Sequence, residues 1–170
     1  FSSFFLSGTL AQSISSNTAS QFHFFDSNQL DITKSEEINL VFDTIKPDFC
    51  INSAAYTAVD KAEIEIEKAD LVNRIAVKNI VDACVKYDTT LVHVSTDFVF
   101  DGEKKVPYPE SDPANPTGIY GVSKRNGEIE SERSMSKYFI VRTSWLYSDF
   151  GHNFKKTMLR LAKEKESLSV

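Results

Sequence analysis

A chain of 170 residues, 41% hydrophobic and 25% charged, has the length of one domain and the composition of an ordinary globular protein. Its net charge of -5 argues against a nucleic-acid partner, and no apolar run reaches the roughly 20 residues that span a bilayer. Cys50 and Cys84 have neither a CxxC partner nor a histidine cluster nearby. They read as buried, reduced thiols of a cytosolic protein, not as metal ligands.

Residues 1–10 are apolar but lack a basic leader, so they are not read as a signal peptide. Glycine is scarce: six in 170, with Gly8 alone in the first hundred positions. From residue 22 onward, strand-like and helix-like segments alternate. An aromatic run at 22–25 is closed by Asp26. Thr33 and Glu36 have capping-box spacing and open an amphipathic helix carrying Ile38, Val41, Phe42 and Ile45, which Pro47 stops. Residues 49–51 form a second strand, followed by the small residues Ser53, Ala54 and Ala55. A long helical pattern covers 62–86. The β-branched run at 90–94 is a third strand. Four prolines, Pro107, Pro109, Pro113 and Pro116, exclude regular structure before a helix at 118–130. A strand at 139–142 and a helix at 154–163 complete the pattern. Strands separated by helices of this length imply right-handed crossovers and a doubly wound parallel sheet, Rossmann-like in arrangement. Ligands of such sheets bind at the carboxyl ends of the strands. Asp26, Asn52 to Ala55, Ser95 to Asp97 and Thr143 to Trp145 all stand there.

Tyr120 and Lys124, four apart on one helix, share a face. An ammonium beside a phenol favours the phenolate and draws its pKa down from about 10 toward the working range of an acid–base catalyst. The pair alone says little, because tyrosine and lysine at this spacing are common on solvated helices. Ser95, Thr96 and Asp97 add weight, since a hydroxyl after a strand can hold a substrate carbonyl oxygen beside the tyrosine. In this arrangement Thr96 polarises the oxygen, Tyr120 protonates it, and Lys124 tunes Tyr120 while gripping a nicotinamide ribose. The cofactor supplies the hydride.

The runs PDFCINSAAYTAVDKAE at 47–63, VHVSTDFVFDG at 92–102, YGVSK at 120–124, RTSWLY at 142–147 and NFKKTMLRLAKE at 153–164 resemble the dTDP-4-dehydrorhamnose reductases, members of the extended short-chain dehydrogenase/reductases. The resemblance spans nearly everything from residue 30 to 170. It implies reduction of the 4-keto group of a nucleotide-linked deoxysugar by NADH or NADPH. It also implies Thr96, Tyr120 and Lys124 as the catalytic residues, and Thr96, Asp97 and Trp145 as contacts to the sugar nucleotide. Gly8, Thr9, Leu10, Asp26, Asp31, Ile32, Ala55, Tyr56 and Thr57 match positions lining the dinucleotide, with Tyr120 and Lys124 reaching it as well. Asp26, at the end of its strand, is placed to accept from the adenosine ribose hydroxyls, which favours NADH. A cytoplasmic location and a homodimer are further implications.

Two departures shape the expectation for this chain. In the family a strand leads into a GxxGxxG turn that lets backbone N–H groups approach the pyrophosphate. Here Gly8, Thr9, Leu10 and Gln12 resemble its second half, which puts Phe5 on the first glycine and Ala11 on the third. The third-position alanine is a known variation, but a phenylalanine on the first would not fit a tight turn and would block the approach to the pyrophosphate. Almost no strand precedes it, so the first strand is expected to be missing. The chain also ends before the family's small substrate lobe. Residues 1–170 are thus read as a dinucleotide-binding domain incomplete at both ends, expected to bind NAD(P)H weakly and to be inactive as it stands. The one position of a family Mg²⁺ site within reach falls on Ser13, so no metal is expected.

A 4,6-dehydratase would share the fold, but it needs an acid where Phe98 stands. An epimerase matches Thr96, Asp97 and Trp145 less closely. The reading from another class is a non-catalytic dinucleotide-binding subunit, resembling the β subunit of methionine adenosyltransferase.

Overall fold

Short apolar runs bounded by turn residues are the mark of strands in a parallel sheet, and here they assemble into one. The structure, a computed structural model, describes residues 2–6, 21–145, 154–165 and 167. The strands are β1 (Ser2–Leu6), β2 (Gln21–Phe25), β3 (Phe49–Asn52), β4 (Thr90–Thr96) and β5 (Tyr138–Thr143), in the order β2-β1-β3-β4-β5. Every neighbouring pair is parallel. The helices are α1 (Ser35–Ile45), α2 (Val59–Ala62), α3 (Ile66–Asp70), α4 (Ala76–Lys86), α5 (Ile119–Ser134) and α6 (Phe154–Glu164). Among the described residues none is long and apolar enough to cross a membrane. The expected doubly wound α/β architecture is present.

The first strand is not missing, and this corrects the sequence reading. β1 lies between β2 and β3, with Phe5 opposite both Phe24 and Ile51. Phe5 is therefore part of a ladder and does not stand in the phosphate turn. The obstruction expected from Phe5 lapses. A five-residue parallel strand has no alternation to betray it, which is why the pattern missed it. Gly8, Thr9, Leu10, Ala11 and Ser13 lie outside the described residues.

Ile38 and Phe42 of α1 pack with Val77, Ile80, Val81 and Cys84 of α4 over Cys50 and Leu91 of the sheet. Both cysteines are free and buried; burial, then the adjacent Cys84, pushes the Cys50 thiol up. Thr33 forms no capping box. Its hydroxyl and N–H both bond Asp31 Oδ1, at 2.7 and 3.0 Å, and the N-cap is Lys34. The pattern at 62–86 is also not one helix. It breaks after Ala62, resumes as α3, passes through a π-helical turn (Leu71–Ile75) and continues as α4. A π turn inserts one extra residue per turn and re-aims a side chain, commonly at a functional site. Here the re-aimed residue is Asn73.

Candidate active site

β4 gives way to a 3₁₀ turn, Asp97–Val99, whose leading N–H groups need an acceptor. Thr96 supplies it: Oγ1 accepts from Phe98 N at 3.2 Å and donates to Asp97 Oδ1 at 3.1 Å. The hydroxyl is held in place at the carboxyl end of a central strand, where a parallel sheet presents its ligand site.

α5 approaches this point unusually closely. Its N-cap residue, Gly118, has no capping side chain, and Glu63 takes over, accepting from Ile119 N at 2.8 Å. A carboxylate thereby meets the positive end of the helix. Gly121 and Gly127 set the separation. A Cβ on Gly121 would stand 2.2 Å from Phe98 O, and one on Gly127 would stand 2.2 Å from Asn73 O. The buried side of α5 is polar: Tyr120, Ser123, Lys124, Glu128 and Ser131.

Thr96, Asp97, Phe98, Tyr120, Lys124 and Trp145 line one cleft of about 250 Å³, with Ser53, Ala55 and Thr57 on its opposite wall. The Tyr120 phenol lies against the Thr96 hydroxyl, and the two can hold one carbonyl oxygen between them. Burial raises the Tyr120 pKa, the Thr96 hydroxyl opposes that, and the negative charge of Asp97 adds to it. The net shift is upward, which differs from the downward pull expected from Lys124. The reason lies in the order of titration. Lys124 is 2% exposed and donates from Nζ to Val94 O at 2.8 Å. Burial lowers its pKa to about 8 against the upward pull of Glu128. A buried phenol ionises above that, when the lysine has already lost its charge. At neutral pH Tyr120 is a protonated phenol, the form a proton donor needs.

The Phe98 and Tyr120 rings meet in a T-shaped contact, centroids 5.5 Å apart. An apolar ring thus stands where a dehydratase would carry its acid. Trp145 is not core: it is 60% exposed, in left-handed backbone geometry (φ 48°), with its ring 4.5 Å from that of Phe154. It stands at the rim of the cleft.

A second cleft of about 470 Å³ lies beside the first and shares Ser53, Ala55 and Thr57 with it. Asp26, Asp31 and Ile32 line it from the β2 side. Asp26 closes β2 by accepting from Asn28 N and Gln29 N at 2.8 and 3.1 Å. Thr33, through hydroxyl and N–H, holds the Asp31 carboxyl below the usual range. Tyr56 is the exception, since it lines neither cleft. Its hydroxyl donates to Glu65 Oε2 at 3.1 Å. Its backbone is gripped at both ends by Asn73, which accepts from Tyr56 N at 2.9 Å and donates to Tyr56 O at 3.1 Å. Asn73 also reaches Ser123 of α5. Tyr56 and Asn73 therefore shape the shared wall without facing it.

The family model described as "RmlD substrate binding domain" matches residues 6–170. The chain belongs to that family. It is 41% identical over 165 residues to the dTDP-4-dehydrorhamnose reductase of Aggregatibacter actinomycetemcomitans, covering 97% of this chain and 56% of that protein. Two solved dTDP-4-dehydrorhamnose reductases are each 39% identical and superpose over 99% of this chain. The Bacillus anthracis structure, in complex with NADP, has a TM-score of 0.94 and is 62% covered. The Clostridium acetobutylicum structure has a TM-score of 0.93 and is 61% covered. This RmlD-family chain thus spans a little over half the length of the relatives it matches.

Sequence reasoning missed three residues around this family's cleft. Asn73, in a long helical pattern, could by sequence either contact the site or satisfy backbone polar groups, and the structure shows it on the backbone of Tyr56. Nothing in the sequence singles out Glu63 within the run at 47–63 or Glu128 on the helix at 118–130, yet Glu63 caps α5 and Glu128 is fully buried.

Proposed function

We propose that this chain is the cofactor-binding half of an oxidoreductase that uses NADH or NADPH to reduce the 4-keto group of a nucleotide-linked deoxysugar, taking dTDP-4-dehydrorhamnose to dTDP-rhamnose. The observation that carries the reading is the convergence of Thr96, Tyr120 and Lys124 on one cleft that shares a wall with the cleft holding Asp26 and Asp31. The adjoining cleft fits a dinucleotide, with Asp26 at the ribose end and the nicotinamide end toward Tyr120. Bound there, the cofactor supplies a hydride.

The remaining work falls to the protein. Thr96 turns its single hydroxyl proton from Asp97 to the ketone oxygen and fixes that oxygen against Tyr120. Tyr120 gives that oxygen its phenolic proton as the alkoxide charge develops. Lys124 supplies a buried positive charge one turn along α5. Asp97 and Trp145 bound the sugar at the mouth of the cleft. The relatives reported above lend no support to the regulatory alternative. Cytoplasmic location and homodimeric assembly extend the same proposal. Turnover of dTDP-4-dehydrorhamnose by the full-length protein, followed by NAD(P)H absorbance, tests it. No oxidation of cofactor in the presence of that substrate would overturn it.

Asp26 gives a second test. A carboxylate accepting from ribose hydroxyls is worth roughly 1.5–3 kcal/mol, tenfold or more in affinity. The full-length enzyme is therefore expected to favour NADH, and Asp26→Ala to erase about tenfold of that preference in kcat/KM. A strong NADPH preference that survives in Asp26→Ala would show that Asp26 does not read the ribose.

A further inference from the structure

The inward face of α5 contains an ion cluster that the proposed chemistry does not use directly. Glu128 is 0% exposed. It accepts from Arg142 of β5 through both oxygens, at 2.9 and 2.7 Å, and from Arg125 at 2.9 Å. Burial would raise its pKa, but hydrogen bonds, led by that of Arg142, outweigh this and lower it, so it is charged at neutral pH. A buried ion pair is a poor way to gain stability, since an apolar pair of similar volume does as well or better. The carboxylate therefore invites a reason beyond packing. That reason stands one helical turn away. Lys124 is buried, which by itself pulls an ammonium toward its neutral form, and the hydrogen bond it sets against that goes to the carbonyl of Val94.

We infer that Glu128 is a positioning residue of the cleft, the counter-charge that keeps a cation one turn below Tyr120. The inference rests on the reading of Tyr120 and Lys124 as the reacting pair. The charged and titratable groups around Lys124 are few. From β4 comes His93, which burial and Lys124 together hold neutral, at about 3. From α5 come Tyr120, a neutral phenol, and Glu128, which acts to raise the lysine pKa. Asp97, in the 3₁₀ turn, acts on Tyr120. Arg142 and Arg125 temper the charge of Glu128, and Glu132 in turn occupies Arg125, at 2.5 and 3.0 Å.

The test is the titration of Lys124 itself, followed by ¹³Cε NMR of the full-length protein without substrate and assigned by its loss in Lys124→Arg. An opposite charge within about 4–6 Å moves a pKa by roughly 1–3 units, and Glu128, one turn away with its oxygens on Arg142 and Arg125, belongs at the lower end of that span. Glu128→Gln is therefore expected to lower the Lys124 midpoint by about one unit or more, and Arg142→Gln to raise it. A role confined to packing would not move the two in opposite directions. Should Glu128→Gln fail to fold, Arg142→Gln alone decides: an unchanged or lowered midpoint overturns the inference. In the kcat/KM profile, the alkaline fall of Glu128→Gln is expected to begin about one unit lower. That leaves about fivefold less activity at pH 8 and near-parent activity at pH 6. Because the NMR titration needs no substrate, its result is independent of whether a sugar nucleotide is turned over.

Discussion

In the full-length protein, Tyr120→Phe is expected to lower kcat for the proposed reduction by at least about a hundredfold while cofactor affinity stays close to that of the parent. Proton transfer by a positioned group contributes roughly 10²–10⁴ in rate, and this substitution removes the proton while keeping the ring. The ring itself packs in a T-shaped contact against Phe98 and in a small apolar cluster with Tyr56, Ala62 and Ala69, so phenylalanine retains its contacts. Lost turnover with unchanged affinity is thus the signature of a proton donor. Because the Tyr120 pKa is raised by burial, the parent enzyme should keep its acid form across neutral pH. Near-parent turnover in Tyr120→Phe would remove Tyr120 from the chemistry and leave Thr96 without a partner.

The second large effect concerns stability. Gly127→Ala should improve the helix on propensity alone, by about 1 kcal/mol. The close approach reverses that sign. The new methyl group would stand 2.2 Å from Asn73 O and 3.4 Å from a methyl of Val77. The first neighbour is backbone, held in a π turn between α3 and α4, and it cannot swing aside as a side chain can. Forcing a helix off such a contact costs typically 1–3 kcal/mol, sometimes more. Set against the gain of about 1 kcal/mol, the net loss expected is about 1 kcal/mol, read as a Tm lowered by roughly 2–4 °C. An unchanged or higher Tm would mean that α5 and the π turn separate at no cost. That would in turn loosen the argument for Asn73 and the shared wall.

The alternation of strands and helices was legible because its signals are local. β-branched runs, apolar residues at helical intervals, and prolines between them need no knowledge of neighbours. The cleft residues were legible for a related reason. Thr96, Tyr120 and Lys124 sit in short ungapped stretches whose spacing survives in a single sequence. What escaped depends on contacts distant in the chain. β1 is recognisable only by its pairing with strands some twenty and fifty positions on. Lys34, not Thr33, is the N-cap of α1 because Asp31 captures the threonine first. The upward shift of the Tyr120 pKa depends on how deeply α5 is buried, and spacing on a helix says nothing about depth. Glu128 has the same difficulty. Its arginine partner on the sheet lies 14 positions away, and nothing nearby marks it as buried.

The hold of Asn73 on both sides of the Tyr56 peptide has a thermodynamic consequence. Ordering a residue costs roughly 1–2 kcal/mol of backbone entropy, and the segment after β3 has met that cost on folding. On the proposed reading, a dinucleotide arriving at Ala55 and Thr57 would meet a wall already ordered, the condition under which association loses least. In Asn73→Ala the wall would have to be frozen by the ligand. Calorimetry should then show weaker NAD(P)H binding in which the unfavourable change is carried mainly by entropy, with enthalpy little altered. A purely enthalpic loss would show instead that the wall stays ordered without its asparagine.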